Sequence, residues 1–596
     1  MRAAARATFA AVIVLPATML VVAALAAAAG LREPWLALLA LPGLYVAPGL
    51  AWARGWAARR GPVDAVALAF DSFWFGLPAG IAGHALAVGV GGGVATQLAV
   101  ATASAVVGEL WVRRGVASGR MRPELVRPPP RPALAVVAGA VLLGAWFARS
   151  AGDVARPLDR YWYVAGVEDR LPVRSAAPAV LGAHAVVGEA DEGVVRGEPG
   201  APLTLTGPHP DPFLILVHGP VGQGTTGLGA PVVVRSDPVE DAAEGPVARY
   251  QDAGVAARWV DGLAEGEALH LQPDADVQLY VVAAQDGVWS LHGSGELRWV
   301  HYYQLLNMVE QLRWADARWV TDVQPPLWTR VLAPALALTG GGQPTVNVLL
   351  ALVLALGVLG GVGFLQRHAP DAPTAAWLLP GAAAVVVGKL VLEPGSAGMP
   401  DALYGVAIVA GLAGRYEGFG LAAQLLRYPG AAVVALGALL AGDRRAALRL
   451  GALVAAVAAL FGLGGAVTGE LDGWLGTVAW ESGPEHWHGE HDPAVLLGRA
   501  PEFYRTWFTY AAGTPLLAAL AWPRGTRVAL GTAALYSLLL CTIDHSPTHY
   551  FVPLVTLSAL ALGCTAGQLG GRRGDLVAAA GTLGLAWFWL RGELVG

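Results

Sequence analysis

Twelve long apolar runs cross this 596-residue sequence, and they constrain its folding more than any other feature. Five come early, at 7–30, 36–53, 65–91, 94–112 and 133–148. Seven come late, at 345–366, 374–392, 447–467, 506–521, 526–541, 551–568 and 576–592. A helix rises about 1.5 Å per residue, so roughly 20 apolar residues span a hydrocarbon core of about 30 Å. Only 14% of the residues are charged, against about 25% in a soluble domain. The runs predict a polytopic α-helical membrane protein of about 13–16 spanning or re-entrant helices. The first run follows Met1–Arg6 and is longer than the roughly 7–15 residues of a signal-peptide core. An uncleaved first helix is expected.

Arginine orients the helices, because short cytoplasmic loops collect positive charge. Arg2 and Arg6 precede the first run; Arg54, Arg59 and Arg60 follow the second; Arg113, Arg114, Arg120, Arg122, Arg127 and Arg131 follow the fourth. These segments alternate as cytoplasmic, and the fifth run leads outward near Ser150. Residues 151–324 carry 24 acidic and 11 basic side chains, a balance of −13 in a chain whose net charge is −5. That stretch reads as one large extracytoplasmic loop. Later, Arg444, Arg445, Arg449, Arg524, Arg527, Arg572 and Arg573 read as inside, with 468–504 and 542–549 outside. Between Pro325 and Arg444 a simple count puts Asp401 at the cytoplasmic end, and short or re-entrant helices would reverse it. Bacterial inner-membrane placement follows, with the bilayer as a partner and no nucleic acid expected.

The sequence divides into an N-terminal four-helix module (1–132), a fifth helix with the start of the loop (133–174), an insert (175–298), a connecting segment (299–330) and a C-terminal multi-helix domain (331–596). Within 175–298, runs such as Leu203–Leu205, Phe213–Val217, Val232–Val234, Leu269–Leu271, Val277–Ala283 and Val288–Leu291 are short, β-prone and divided by Gly, Pro and Asp. That rhythm predicts a β-rich, sandwich-like insert, suited to glycan or, equally, to a partner protein. Tyr302–Trp319 reads as an amphipathic helix with Leu305, Val309 and Leu312 on one side. Cys541 and Cys564 sit in apolar runs and read as core residues.

Four short motifs follow in order: Gln324-Pro325-Pro326-Leu327-Trp328, Met399-Pro400-Asp401-Ala402-Leu403, Arg427-Tyr428-Pro429-Gly430 and Thr548-His549-Tyr550-Phe551-Val552-Pro553. Together they resemble the C-type membrane glycosyltransferases, specifically the bacterial polyprenyl-phosphate mannose and aminoarabinose transferase-like proteins. Those usually carry His-Pro-Pro-Leu-Tyr, Pro-Asp-Ala-Leu, Thr-Lys-Tyr-Pro-Gly and Arg-Tyr-Leu-Leu-Pro at these places. Gln324, Trp328, Arg427 and His549 depart from that pattern. The resemblance covers roughly 150–560, while the first 130 residues lie outside it. It implies a sugar donor on a polyprenyl phosphate, a glycan, lipid or protein acceptor, an outer-face carboxylate that handles the acceptor proton, and cations that neutralise the leaving phosphate.

Asp159, beside Tyr161, Trp162 and Tyr163, is the leading candidate for that carboxylate, with Asp153 second. A solvated loop acid paired to Arg160 is the plainer reading. His301 and Glu310 are the substitutes if the family's acidic stretch aligns instead with His301-Tyr302-Tyr303. Arg330, Lys389, Arg427 and Arg505 are candidate phosphate partners. Asp401 is a second polar site at a helix start, where plain N-capping explains it too. His486, His488, Glu490, His491 and Asp492 form the densest ligand-like cluster. A divalent cation is the one cofactor it could hold, though the spacing fits no helical two-histidine motif. A solvated, acceptor-facing loop joined by His549, Asp544 and His545 reads as well. Asp71 and His84, inside the third run, are polar groups in lipid, and a helix-to-helix hydrogen bond would account for both. Two other functions stand beside the transferase. One is a non-catalytic scaffold binding a partner through the insert. The other is a transporter of a lipid-linked substrate, which predicts paired charges in mid-membrane.

Overall fold

The computed structural model describes residues 16–25, 34–59, 63–90, 92–121, 125–126, 130–150, 327–339, 343–392, 400–427, 429–468, 493–541 and 548–591, with strand segments between 186 and 292. Among these residues six helices are long and apolar enough to cross a membrane: Ala65–Ala87, Gly93–Ala117, Pro130–Phe147, Val348–His368, Thr374–Val391 and His549–Leu569. Pro16–Leu25, Asp401–Leu412 and Gly430–Leu440 are apolar but shorter. The protein is a multi-pass, mainly helical chain.

Two apolar runs turn out to be broken. The run at 36–53 divides at Val46 into helices Pro34–Tyr45 and Ala47–Ala58. The run at 506–521 divides after Tyr510, where Ala512 and Gly513 take positive φ of 49° and 71° before the short helix Thr514–Ala518. Left-handed backbone ends a right-handed helix whatever the hydropathy.

A chain of contacts fixes which helix ends lie together. Arg131 Nη1 donates to the Ala372 carbonyl at 3.0 Å, so helix Pro130–Ser150 and the 374–392 stretch start at one end. They run in parallel, with Gly381 against Gly139 and Gly388 against Trp146. At the same end Gln366 donates to Asp64 at 3.0 Å, and His368 Nε2 lies 3.1 Å from the Leu412 carbonyl. Arg524 Nη2 donates there to the Ala441 carbonyl at 2.7 Å. This is the arginine-rich end. Helix Leu379–Leu392 leaves it, and helix Asp401–Leu412 returns to it. Asp401 therefore lies at the far end, with Ser150, Leu392 and His549. The simple count is corrected.

Its error has a physical cause. Helix Asp401–Leu412 has 12 residues and helix Tyr416–Gln424 has nine, or about 18 and 14 Å. The chain climbs from Arg415 to Arg427, turns at Pro429 and descends again as Gly430–Leu440. Gly430 packs directly on the Ala423 backbone, and the Ala431 N–H donates to Gln424 Oε1 at 3.1 Å. A side chain at 430 would block that close return, so a glycine stands at the turn. Neither of the paired helices matches a membrane's thickness, which is why hydropathy alone misjudges the parity.

In the N-terminal module, glycine again sets close contact. A Cβ at Gly49 would collide with the backbone of Ser72 and Gly76. Trp52 stacks on Trp111 at 5.3 Å. Strands Val63–Asp64 and Leu125–Val126 pair in parallel at the arginine-rich end. Between 186 and 292 the strand segments pair antiparallel in two sets. One includes Phe213–His218 between Val277–Gln285 and Val255–Val260; the other includes Ala268–Pro273 between Leu203–Thr206 and Val232–Asp237. The helix expected at Tyr302–Trp319 lies outside the described residues.

Candidate functional site

Helix Asp401–Leu412 is buried along its whole length, and Asp401 is only 1% exposed. Its N-cap is Pro400, with no side-chain capping bond, so N-capping is not what Asp401 does. Its carboxylate faces Arg427 instead. Arg427 Nη2 donates to Oδ2 at 2.7 Å and Nε to Oδ1 at 3.3 Å. This is the planar two-point fork that guanidinium and carboxylate favour. His549 Nε2 lies 3.9 Å from the same Oδ2, and the Arg427 guanidinium sits 5.4 Å over the Tyr550 ring. Tyr404, one turn along from Asp401, meets Tyr536 edge-on at 6.3 Å. Both phenols are near enough to feel the Asp401 charge.

The four motifs thus meet. Asp401, Arg427 and the His549-Tyr550 pair supply the cluster directly. The Leu327 N–H donates to the Leu425 carbonyl at 2.9 Å, which ties the Leu327-Trp328 end of the first motif to the turn carrying Arg427. An apolar cavity lies beneath, lined by Ala402, Gly405, Val406, Val353, Val387 and Val552. Chemically the cluster is a buried carboxylate held by one cation, with an imidazole 3.9 Å from it. It can orient a polar group or exchange a proton, and Arg427 can present guanidinium to an anion.

The other candidate cations stand elsewhere. Of Arg330, Lys389, Arg427 and Arg505, Arg427 is the one paired with Asp401. Lys389 Nζ donates to the Phe588 carbonyl at 3.0 Å and lies over that ring. Arg505 is 68% exposed, 3.7 Å from Glu502. Arg330 acts electrostatically on His84, whose Nδ1 is 2.9 Å from Gln97 Nε2. That helix-to-helix bond explains His84. Asp71 pairs with Arg415 through both oxygens, Nη2 to Oδ2 at 3.1 Å. Asp153, Asp159, His301, Glu310, His486, His488, Glu490, His491, Asp492, Asp544 and His545 lie outside the described residues. Among the described residues no group of three or more His, Cys, Asp or Glu side chains is placed to hold a metal ion.

Compared with known proteins, the chain matches no family model, no curated protein and no solved structure. Sequence reasoning missed Tyr404, Tyr536 and Arg415. Tyr404 had a local signal, since it lies three residues after Asp401 and so on the same helix face. Arg415 had none, being 344 residues from Asp71.

Proposed function

We propose that this protein is a membrane glycosyltransferase that moves a sugar from a polyprenyl-phosphate donor to an acceptor at the extracytoplasmic face of a bacterial inner membrane. One observation carries the reading. Four motif-like segments from distant parts of the chain gather at the end opposite the arginines, and they leave a buried carboxylate, a guanidinium and an imidazole together there. In this reading Asp159, or Asp153, takes the acceptor proton, Arg427 and Arg330 meet the donor phosphate, and Asp401 holds Arg427 in position. The strand segments of 186–292 belong to a sandwich-like insert above the membrane that receives acceptor glycan.

One feature also favours transport of a lipid-linked substrate: the short, interrupted helices Asp401–Leu412, Tyr416–Gln424 and Thr514–Ala518. The test is sugar transfer by purified protein in liposomes loaded with a polyprenyl-phosphate sugar. Transfer that falls at least about 100-fold in Asp159→Asn supports the enzyme. Donor movement across the bilayer with no transfer supports the transporter. Neither activity leaves a scaffold.

A further inference from the structure

The arginine-rich end holds a second polar cluster that sugar transfer does not use. The Arg367 guanidinium packs against Gly414, where it leaves no room for a side chain and where a φ of +97° favours glycine. His368 Nε2 lies 3.1 Å from the Leu412 carbonyl, two residues from Gly414, and its Cβ packs against Gly525. Arg524, the residue before that glycine, spends one N–H on Ala441. Tyr416 begins the neighbouring helix, and both guanidiniums act on its phenol. Arg367 and Arg524 are exposed, and among the described residues neither has a carboxylate within ion-pair distance.

Most of the acids nearby are engaged; Asp371, exposed at the turn three residues after His368, makes no ion pair with either arginine among the described residues. Asp71 holds Arg415, Asp64 accepts from Gln366, Glu417 pairs with Arg449, and Asp443 accepts from the Ala446 N–H at 3.0 Å. Two exposed guanidiniums, each with donors left over, therefore stand at this end near the buried Tyr416 phenol. The chain leading into Arg524 exposes Leu516, Leu520 and Trp522, an apolar ledge ending in a tryptophan of the kind that settles at a membrane interface. His368 closes one membrane-length helix and Leu569 another at this level. Cations next to an exposed apolar ledge suit an anionic amphiphile, and bidentate donors suit phosphate.

We propose that Arg367 and Arg524, with Tyr416 and His368 beside them, bind the phosphate headgroup of an anionic phospholipid whose chains lie along Leu516, Leu520 and Trp522. The plainer alternative is that any exposed arginine at this end attracts such lipids equally. Arg572 and Arg573, exposed at the same end, provide the control.

The experiment is native mass spectrometry of the full-length protein from phosphatidylcholine nanodiscs containing a minor fraction of phosphatidylglycerol. Preferential retention of phosphatidylglycerol is expected, reduced about tenfold in Arg367→Gln/Arg524→Gln, the scale of one or two lost charge-assisted hydrogen bonds. Arg572→Gln/Arg573→Gln is expected to retain it. Equal loss in that control, or equal retention of both lipids by the unmutated protein, overturns the proposal. Competition by millimolar glycerol phosphate as strong as by lipid also overturns it, in favour of a soluble phosphate. If the glutamine pair does not fold, Arg367→Lys/Arg524→Lys carries the test, because lysine keeps the charge and loses the fork. An expected loss of about threefold supports the site, and full retention overturns it.

Discussion

Among the described residues, two arginines each grip both oxygens of one carboxylate, one pair at each end. Asp401–Arg427 is sealed, with side-chain exposures of 2% and 15%. Asp71–Arg415 is half open, with Arg415 at 40% and lying 5.9 Å from the rings of Phe70 and Phe419. The contacts are alike and the surroundings are not. A buried pair gains little over hydrocarbon of the same shape, but losing one partner strands a charge and costs about 3–5 kcal/mol. An exposed partner is rescued by water, and its pair contributes nearer 0–1 kcal/mol. The sealed fork is the one that fixes a single arrangement of its end.

The largest expected effect follows from that contrast. Arg427→Gln should lower unfolding stability in detergent by about 3–5 kcal/mol, and Asp401→Asn/Arg427→Gln should recover much of the loss. A single substitution no worse than the double would show that the pair is not coupled. Arg415→Gln should cost less, about 1–2 kcal/mol, because Asp71 keeps part of its burial while Arg415 is screened by solvent. Equal costs at the two ends, measured in one thermal-unfolding series, would erase the distinction drawn from burial.

Smaller effects sharpen it. His549→Gln removes a ring 3.9 Å from Asp401, beyond hydrogen-bonding range. A loss of roughly 1 kcal/mol or less is expected, read by the same unfolding assay. The smallest concerns pH. Burial pushes the Tyr416 phenol above its ordinary 10, against the pull of Arg367 and Arg524. A folded-state value above the unfolded one gives stability that is complete below pH 10 and lost as pH rises beyond it. Tyr416→Phe should flatten that alkaline fall. An unchanged slope above pH 10 would place the titration elsewhere.

Much of the fold was legible because a membrane-length helix advertises itself in hydropathy, as at 65–87, 348–368 and 549–569. The broken segments were not. A 12-residue apolar helix such as 401–412 looks like part of a longer one, and Gly513 gives no sign in hydropathy that it will turn left-handed. The motifs exposed three members of the candidate site, Asp401, Arg427 and His549, but not what each does. Asp401 read as a cap because its partner lies 26 residues on, across a turn whose direction depends on tertiary packing. Asp71 read as a polar group in lipid or as half of a helix-to-helix hydrogen bond, and no local pattern announces Arg415 as its partner.

The backbone bond from Leu327 to Leu425 carries one more consequence. It fastens the first residue of the 327–339 helix to the turn that positions Arg427, two residues beyond Leu425. Those two places act as one lever. A substitution that displaces the start of the 327–339 helix is therefore expected to shift the Leu425 carbonyl and, through it, the hold of Arg427 on Asp401.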